Sequence, residues 1–406
     1  MAWQERCVME IREKFVLEAL EDGANMSELC RQYSISRKTG YKWVARFRGG
    51  GVSALVDASR KPRSCRNEVS AETAMAIVRL RMQHPSWGPK KLRSLLKGEP
   101  PSTSTIARVL QRSGIVAHKR RGRPRRWVAG DAPTNICAPN DEWTIDFKGW
   151  WRTRDGIRCE PLTTRDSFSR FVLCAQPMER ISTEAVEDAC IQAFERYGLP
   201  LSIRSDNGAP FACTRSPAGL TRLSAWWKAL GIGLHRGRPG KPQDNGAHER
   251  MHRDMAKELQ GAPADNLQEQ SEICQRWVEE FNHVRPHEAL QMTTPASVYR
   301  RSPRVYTATR PEIAYPKHYE IRTVRSTGEI RWLGRTRFVS EALVGWPVGI
   351  EILPQNRMRL WFCDIVLGET DQAFGAGLQY TKLSAQPQTE TLTCHPCIDN
   401  KLLPMS

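Results

Sequence analysis

Residues 205–208 are Ser-Asp-Asn-Gly, and residues 242–250 are Pro-Gln-Asp-Asn-Gly-Ala-His-Glu-Arg. Asp206 follows the short apolar run 201–204, whose length and β-branched content predict a strand. Glu249 begins a polar segment without Gly or Pro that continues to residue 259, which predicts a helix. Upstream, Asp146 lies in the run 143–147, Trp-Thr-Ile-Asp-Phe, which also predicts a strand. Two strands and a helix are therefore expected to present one carboxylate each.

Three carboxylates that converge without a counter-charge would repel and raise one another's pKa. A divalent cation removes that cost, and hard oxygen ligands suit Mg²⁺ or Mn²⁺. A pair of such ions can stabilise the attacking and leaving oxygens of a phosphoryl transfer. The combination of Asp146, Asp206 and Glu249 therefore predicts a metal-dependent enzyme that acts on phosphodiesters. Taken singly, each acid fits an ordinary surface carboxylate better, and Asp-Asn-Gly is a common turn sequence.

The composition is that of a multidomain protein of a reducing cytosol. A chain of 406 residues is long enough for about two to four domains. No uncharged stretch approaches the ~20 residues of a membrane span, and the N-terminus lacks an apolar signal region. The 12 cysteines are scattered, as expected for buried thiols. Cys394 and Cys397 form a lone Cys-x-x-Cys without a second pair, and no metal is assigned to them.

The positive charge is concentrated in the first third of the chain. Residues 1–130 contain 27 Lys and Arg against 11 Asp and Glu, whereas residues 131–406 contain 34 against 33. The net charge of +17 therefore belongs almost entirely to the front end. This asymmetry favours a polyanionic partner such as nucleic acid, bound through the N-terminal third. A merely soluble basic surface is the alternative.

The first 58 residues predict a helix-turn-helix DNA-binding domain. Two short blocks of helical periodicity are followed by Ser34-Ile35-Ser36, with Ser36 as the expected N-cap of a third helix. That third helix is basic enough to enter a major groove, and its expected DNA contacts are Arg37, Lys38, Lys42 and Arg46. A three-helix bundle that binds another protein is the alternative interpretation.

A second helix-turn-helix-like domain is predicted at 68–117, and a basic linker or arm at 118–136. In the arm, Arg121-Gly122-Arg123-Pro124 is kept extended by its proline and is slender enough for a minor groove. Arg121 and Arg123 are the expected contacts. A solvated linker without a binding role is the alternative, and an arm that becomes ordered only on DNA satisfies both.

From residue 137 to about 300 the pattern changes to an α/β domain. Strands are expected at 143–147, 157–164, 170–176, 200–205 and 232–235, and helices at 183–197, 219–230, 246–260 and 269–284. Consecutive strands followed by alternation with helices predict a mixed sheet with helices on its faces. Asp166 is expected in a hairpin turn, with a structural role. Short strands at 315–370 predict a small all-β barrel, and the tail 375–406 is expected to be disordered.

Further basic residues are expected beside the acids. Arg253 and Lys257 follow Glu249 at i+4 and i+8, so the three side chains are expected on one side of the helix. Lys241 lies in the loop just before it. If metal ions occupy the carboxylate, these cations are left to bind phosphates beside the scissile bond. A solvated surface ion pair is the alternative.

The motifs around the acids resemble those of the DDE transposases, the insertion-sequence enzymes of the retroviral-integrase superfamily. The resemblance rests on Trp-x-x-Asp-Phe at Asp146, Ser-Asp-Asn-Gly at Asp206, and Asp-Asn-Gly-x-x-Glu-Arg at Glu249. Asn-x-x-Arg-Pro at 282–286 and Thr294-Pro295 resemble the end of the same core, and the helix-turn-helix front end is similar to that of bacterial members. One departure is that 42 residues separate Asp206 from Glu249, more than is typical of the superfamily.

This resemblance implies a ribonuclease-H-like integrase catalytic core that binds two Mg²⁺ (or Mn²⁺) ions through the three acids. It also implies cleavage at the 3′ ends of a transposon and strand transfer into target DNA. The implied partners are double-stranded DNA, at transposon ends and target, and further copies of the chain in a homo-multimer, with no membrane. The implied location is the bacterial cytoplasm, in association with the nucleoid.

Two other functions remain open at the level of sequence. His248-Glu249-Arg250-Met251-His252 matches the zinc-protease pattern H-E-x-x-H, with Glu249 as general base and Glu269 or Glu272 as a third ligand. A zinc protease would leave Asp146, Asp206 and the basic front end unexplained. A DNA-binding repressor with an inactive core is the second alternative, although all three acids are present.

Overall fold

The computed structural model describes residues 8–57, 69–115, 136–237, 246–375 and 377–381. The chain divides into two compact units, Met1–Ser70 and Ala71–Ser406. Arg121, Arg123, Lys241 and the Cys394/Cys397 pair lie outside the described residues. So does most of the predicted tail, although Gln379–Tyr380 forms a short strand.

The first unit is a helix-turn-helix of three helices, α1 (Val8–Ala19), α2 (Met26–Gln32) and α3 (Arg37–Gly50). The Ser36 side chain accepts a hydrogen bond from the backbone N–H of Thr39, which confirms the predicted N-cap of α3. The helices enclose a small core of buried side chains: Phe15, Val16, Cys30, Trp43, Val44 and Leu55. Gly40 allows α3 to approach α2 closely, because a Cβ atom there would lie 2.6 Å from Cys30 Sγ.

The second unit begins with another three-helix module, formed by α4 (Ala71–Gln83), α5 (Pro89–Leu95) and α6 (Thr103–Arg112). Ser102 caps α6 by accepting a hydrogen bond from the N–H of Thr105. The module has its own apolar core, which consists of Ile77, Trp87, Leu92, Ile106 and Leu110. The predicted second helical segment is therefore present, and it belongs to the same compact unit as the α/β domain.

A six-stranded mixed sheet forms the centre of the second unit. Its strands are β1 (Glu142–Phe147), β2 (Trp151–Arg152), β3 (Arg158–Asp166), β4 (Val172–Met178), β5 (Ser202–Ser205) and β6 (Gly233–Arg236). The order is β2-β3-β1-β5-β6, with β4 also paired to β3. β1 runs antiparallel to β3 and parallel to β5, and β5 is parallel to β6. This confirms the predicted mixed sheet; of these strands, the sequence patterns did not predict the two-residue β2.

Helices cover both faces of this sheet. α7 (Thr183–Tyr197) and α8 (Arg222–Ala229) pack on the face that carries Trp143 and Ile145. α9 (Gly246–Met255) and α10 (Leu267–His283) pack on the other face, against Val172 and Ala175 of β4. Because side chains alternate along a strand, Thr144 and Asp146 of β1 lie on the α9 side.

The C-terminal part is all-β but is not a closed barrel. The strands are β7 (Glu320–Thr323), β8 (Glu329–Trp332), β9 (Arg335–Phe338), β10 (Pro347–Leu353), β11 (Arg357–Phe362), β12 (Ile365–Asp371) and β13 (Gln379–Tyr380), after the short helix α11 (Pro295–Val298). Five of them form a sheet in the order β13-β12-β11-β10-β7, and β8-β9 is a separate hairpin. In the described residues the edge strands β7 and β13 do not pair, so the sheet stays open. The prediction of a closed barrel was therefore wrong. The C-terminal sheet packs against Ala225 of α8 and against Leu220, which lies just before that helix.

Within the described part of the chain, no helix is both long enough and apolar enough to cross a membrane.

Candidate active site

The first acid, Asp146, is half-buried near the end of β1 on the side covered by α9. The second, Asp206, follows β5 directly and is exposed. Thr144 of β1 is the registered partner of Arg204 of β5 in a parallel pair. Continuing that register by two residues sets Asp206 beside Asp146. The strand pairing therefore brings both acids to one edge of the sheet, as expected for neighbouring parallel strands.

The Ser-Asp-Asn-Gly sequence forms a tight turn at the end of β5. Asp206 Oδ1 accepts a hydrogen bond from the N–H of Gly208 at 3.3 Å. Asn207 Nδ2 donates to the carbonyl of Gly237, just after β6, at 2.8 Å. A Cβ atom on Gly208 would lie 3.2 Å from Asp206 Oδ2, so glycine leaves room for the carboxylate. The motif thus fixes the backbone that carries Asp206.

The third acid, Glu249, lies in the first turn of α9 and is exposed. Its charge reaches Asp146. Burial first, then the charge of Asp206, and to a smaller extent that of Glu249 raise the pKa of Asp146 to about 7, against a lowering hydrogen bond from the Phe147 backbone. Among the described residues, the ligand atoms of Asp146, Asp206 and Glu249 do not all lie within 4.8 Å of one another, so these acids are neighbours in charge without forming a closed metal site.

Two histidines of α9 point into the protein, on the opposite side of the helix from solvent. His248 and His252 are buried, and each Nε2 lies 2.7 Å from the hydroxyl oxygen of Thr163 on β3. His248 Nδ1 lies 2.8 Å from the hydroxyl oxygen of Thr144 on β1. Thr163 also donates to the carbonyl of Asp146 at 3.0 Å. These contacts fasten α9 to the two central strands.

Both histidines are neutral. Burial is the main cause that lowers the pKa of His252 to about 3, and burial also lowers the pKa of His248 far below its ordinary value. The assignment that satisfies every partner has both Nε2–H groups donating to Thr163, while His248 Nδ1 accepts from the Thr144 hydroxyl.

This network argues against the zinc-protease hypothesis. The ligand atoms of Asp146, His248 and His252 lie within 4.8 Å of one another, a spacing suited to a metal ion. The Thr163 oxygen, however, already lies 2.7 Å from both Nε2 atoms, where a zinc ion bound by the two histidines would have to lie. The sequence did not predict this structural role of His248 and His252, because their i, i+4 spacing alone suggested metal ligands.

A buried ion-pair cluster, which no local sequence pattern predicts, holds together the strands that carry Asp146 and precede Asp206. Glu142 of β1 accepts two hydrogen bonds from Arg204 of β5, at 2.9 and 2.8 Å, and lies 2.7 Å from His235 Nδ1 of β6. Burial alone would raise the pKa of Glu142, but the hydrogen bonds from His235 and Arg204 outweigh it and lower the pKa to about 2. The cluster fixes the relative register of three parallel neighbours.

Two further cations lie near the acids. Arg236 at the end of β6 donates from Nη1 to Ser205 Oγ at 2.6 Å, and the charge of Asp206 acts on its guanidinium. Lys148 follows β1, and its burial lowers its pKa. The charge of Lys148 in turn acts on His252, which places this lysine on the α9 side of the sheet.

The predicted DNA-contacting residues are distributed over several surfaces. Arg37, Lys38 and Lys42 are exposed on α3, while Arg46 is half-buried. Lys42 Nζ and the Arg46 guanidinium both lie 5.0 Å from the ring centre of Trp43. Arg253 is exposed on α9.

Lys257 lies beyond the end of α9, in a turn of π-helix at Ala256–Gln260 that changes the helical register after Met255. It lines a cleft of about 680 Å³ beside Trp87, away from the simple i+8 position expected from sequence.

Asp166 has the structural role expected for it. Its carboxylate accepts hydrogen bonds from the backbone N–H groups of Asn140 and Ser169, both at 2.7 Å, and from the Ser169 hydroxyl at 2.5 Å. These bonds close the turn between β3 and β4.

Comparison with known families agrees with this architecture. Residues 137–242 and 230–295 match two families that are both described as integrase core domain. Residues 11–63 match a helix-turn-helix domain, and residues 39–110 match a homeodomain-like domain.

Individual relatives come from a bacterium and from retroviruses. The insertion element IS407 uncharacterized 31.7 kDa protein of Burkholderia multivorans is 25% identical over 285 residues, which are 69% of this chain and 93% of that protein. The Gag-Pol polyprotein of avian reticuloendotheliosis virus is 31% identical over 124 residues, which are 30% of this chain and 10% of the polyprotein. The HTLV-2 integrase catalytic core domain, solved in complex with magnesium in a trimeric form, aligns with 40% of this chain and 98% of its own, at 17% identity and a TM-score of 0.32.

The chain therefore contains an integrase core domain within residues 137–295 and helix-turn-helix domains within residues 11–110. Its similarity to an insertion-element protein extends over almost the whole length of that protein.

Proposed function

We propose that this protein is an insertion-sequence transposase that uses DDE chemistry, with Asp146, Asp206 and Glu249 binding two Mg²⁺ or Mn²⁺ ions. The observation that carries the proposal is the parallel register of β1 and β5, which sets Asp206 beside Asp146; burial and the charge of Asp206 raise the pKa of Asp146 to about 7. A half-buried carboxyl group beside two other acids is stabilised in its charged form by a bound cation. The all-oxygen donor set suits these hard ions. The neutral histidines beside it are already hydrogen-bonded to Thr163.

The ions would supply charge stabilisation to the attacking and leaving oxygens of an in-line phosphoryl transfer. The chain's own task is to hold the three carboxylates in place from β1, the end of β5 and α9. Lys148 and Arg236 would bring positive charge to the phosphates on either side. The proposed sequence has water attack the phosphodiester at a transposon end, which breaks the P–O3′ bond and leaves a free 3′-hydroxyl and a 5′-phosphate. That 3′-hydroxyl then attacks a phosphate of the target DNA, forms a new phosphodiester and displaces the 3′-hydroxyl of the target strand.

The proposed DNA contacts divide between the two units. Arg37, Lys38, Lys42 and Arg46 of α3 would contact the terminal repeats in the major groove, and Arg121 and Arg123 of the arm would contact an adjacent minor groove. Arg253, Lys257 and Lys241 would bind phosphates near the scissile bond. The exposure of Arg253 on the same helix as Glu249 supports this for one of them.

The proposed domain boundaries are those expected from the sequence: 1–58 and 68–117 for the helix-turn-helix segments, 118–136 for the arm, 137–300 for the catalytic core, 315–370 for the C-terminal β-domain and 375–406 for the tail. The proposed active form is a homo-multimer on double-stranded DNA, since two transposon ends must be joined to one target.

Substitution of the acids tests the catalytic proposal. Asp146→Asn and Glu249→Gln are expected to reduce cleavage of a duplex that carries the transposon end by at least about 1000-fold, because each removes a charged metal ligand. Binding to the same duplex should be unchanged. Asp188→Asn, at an exposed acid of α7 on the other face of the sheet, is the matched control and should cleave normally.

Near-normal cleavage by either acid variant would refute the assignment. An unaltered protein that binds the ends but never cleaves them, in Mg²⁺ or in Mn²⁺, would favour the repressor alternative. Cleavage is followed by the release of a labelled strand, and binding by a mobility shift on the same DNA.

A further inference from the structure

The loop between α4 and α5 of the second helical module is seated on the helices beside the catalytic acids. Its Trp87 is only 2% exposed. The ring of His84 stacks on it, with centroids 3.9 Å apart, and His84 Nδ1 lies 3.1 Å from a carboxylate oxygen of Glu280 on α10. Ser86 donates a hydrogen bond to Glu258, and Lys90 pairs with Glu288. The module is therefore joined to the core domain by hydrogen bonds and ion pairs as well as by apolar packing.

At the centre of this junction lies Arg285, whose side chain is 1% exposed. Its guanidinium pairs with Asp254, at 3.3 Å, and with Glu258. Three aromatic rings surround the same group: the ring centroids of Trp87, Trp277 and Phe281 lie 5.5, 5.7 and 5.1 Å from Cζ. Such a buried cation keeps its position, because the Arg285 side chain is 1% exposed and would lose both of its carboxylate partners if it moved.

Both acids of this junction belong to the helical segment that carries Glu249. Asp254 lies in α9 five residues after Glu249, and Glu258 lies in the π-helical turn that continues it. Glu258 accepts hydrogen bonds from Ser86, from Arg285 and from Trp277 Nε1, the last at 2.6 Å. One carboxylate thus contacts the helical module, α10, and Arg285, which lies two residues after the end of α10. We use the name Arg285 junction for Arg285, Asp254, Glu258, Trp87 and Trp277.

The same module presents a polar helix to solvent. On α6, the exposed side chains are Thr103, Ser104, Ala107, Arg108, Gln111 and Arg112. Small, polar and basic side chains on one face of the last helix of a helix-turn-helix module are suited to a DNA groove.

From these contacts we infer that the module of α4–α6 is a measuring device: the Arg285 junction holds α6 at a fixed distance from Glu249, and this distance selects which phosphate of the transposon end is cut. The inference rests on the proposed function. Trp87, Arg285 and Glu258 are in this view positioning residues, which act on the reaction only through the placement of α6 and α9.

The test maps the cut at nucleotide resolution, using the full-length protein and a linear duplex with the transposon end. The unaltered protein should cut one phosphate. Arg285→Lys keeps the charge but cannot pair with both acids through a planar fork. It should lower the rate at that phosphate by about 10- to 100-fold, at unchanged DNA affinity, and add cuts at neighbouring phosphates. Trp87→Ala should do the same, and Trp87→Phe should restore the single cut.

Arg196→Lys is the matched control, because Arg196 is an exposed arginine of α7, on the other face of the sheet from the junction. It should cut as the unaltered protein does. Thermal melting accompanies each variant; if Arg285→Lys does not fold, Ser86→Ala, which removes only one hydrogen bond to Glu258, takes its place with the same expected loss of a single cut position.

A second duplex carries one extra base pair between the segment protected by α6 and the cut. The cut should stay at the same distance from the protected segment and therefore move by one nucleotide relative to the terminal sequence. The segment protected by α6 is identified as the part of the footprint that Arg108→Ala loses. A cut that stays with the terminal nucleotides, or one sharp position in both Arg285→Lys and Trp87→Ala, would overturn the inference. Failure of the unaltered protein to cut any duplex counts instead against the proposed function.

Discussion

At the scale of single residues, the main feature is an acid whose surroundings raise its pKa beside two residues that burial keeps neutral. Asp146 has a pKa of about 7, whereas His252, on the facing helix, has its pKa lowered to about 3. In water the order of these two groups would be the reverse. A cation that binds Asp146 would therefore displace its proton into solvent, and the two neutral histidines would add no competing positive charge.

The raised pKa of Asp146 leads to a prediction about Mg²⁺. The folded state binds the Asp146 proton more tightly than the unfolded state between pH 3.8 and about 7, so this group stabilises the metal-free fold at low pH and the effect is lost as pH rises through about 7. Because Mg²⁺ displaces that proton, its apparent affinity should fall below pH 7 by up to about tenfold per pH unit.

The measurement is the shift in melting temperature on adding Mg²⁺, at pH 6 and at pH 8. A larger shift at pH 8 is expected, and Asp146→Asn should abolish the difference between the two values. Equal shifts at both pH values in the unaltered protein would contradict the prediction.

At the scale of elements, the candidate site depends on the register of three strands. Glu142, Arg204 and His235 link β1, β5 and β6 two to four residues before the strand ends that carry Asp146 and Asp206. The Glu142 and Arg204 side chains are 3% and 6% exposed. A buried pair of this kind contributes little net stability compared with apolar residues, but its loss from one side leaves a buried charge. Its role is therefore to select one register.

Glu142→Gln should destabilise the second unit by about 3 kcal/mol, since it leaves Arg204 buried without an opposite charge. Denaturant unfolding provides the value. The exposed Glu184 at the start of α7 offers a matched control, and Glu184→Gln should change stability by less than about 0.5 kcal/mol. Equal changes in the free energy of unfolding for the two substitutions would show that the Glu142 cluster does not stabilise the sheet.

At the scale of the whole molecule, the proposed DNA-binding surfaces and the candidate active site are distributed over two compact units. Met1–Ser70 has its own apolar core around Phe15 and Trp43. Ala71–Ser406 contains the second helical module, the mixed sheet with the acids, and the C-terminal sheet. The unit boundary thus separates one helix-turn-helix from the other, and the second one shares a compact unit with the candidate active site.

A substitution in the first unit should leave the chemistry of the second intact. A Cβ atom on Gly40 would lie 2.6 Å from Cys30 Sγ and 3.0 Å from Phe15 Cζ, so Gly40→Ala should destabilise the first unit by about 1–3 kcal/mol through overpacking. Calorimetry should show a lowered transition for this unit and an unchanged, Mg²⁺-dependent transition for the second. A joint shift of both transitions would contradict two independent units.

Much of this architecture could be predicted from local sequence. The runs around Asp146 and Asp206, and the helix of Glu249, have periodicities that a strand and a helix impose on residues two to four positions apart. Ser36 as a helix cap is likewise a local property, because the cap and the N–H it binds are three residues apart. The concentration of positive charge in residues 1–130 needed only counting.

Contacts between residues far apart in the chain appear first in the folded structure. The Thr163 hydroxyl is hydrogen-bonded to His248 and His252, which lie more than 80 residues away in the sequence. Because of these bonds, the two histidines anchor α9 to β3 and do not form a zinc site. The Arg285 junction likewise joins Trp87 to α9 and α10. The open C-terminal sheet was missed for a related reason: strand periodicity gives the same signal whether or not the edge strands pair. Local periodicity records which face of an element is buried, but the identity of the partner on that face is set by the packing of the whole chain.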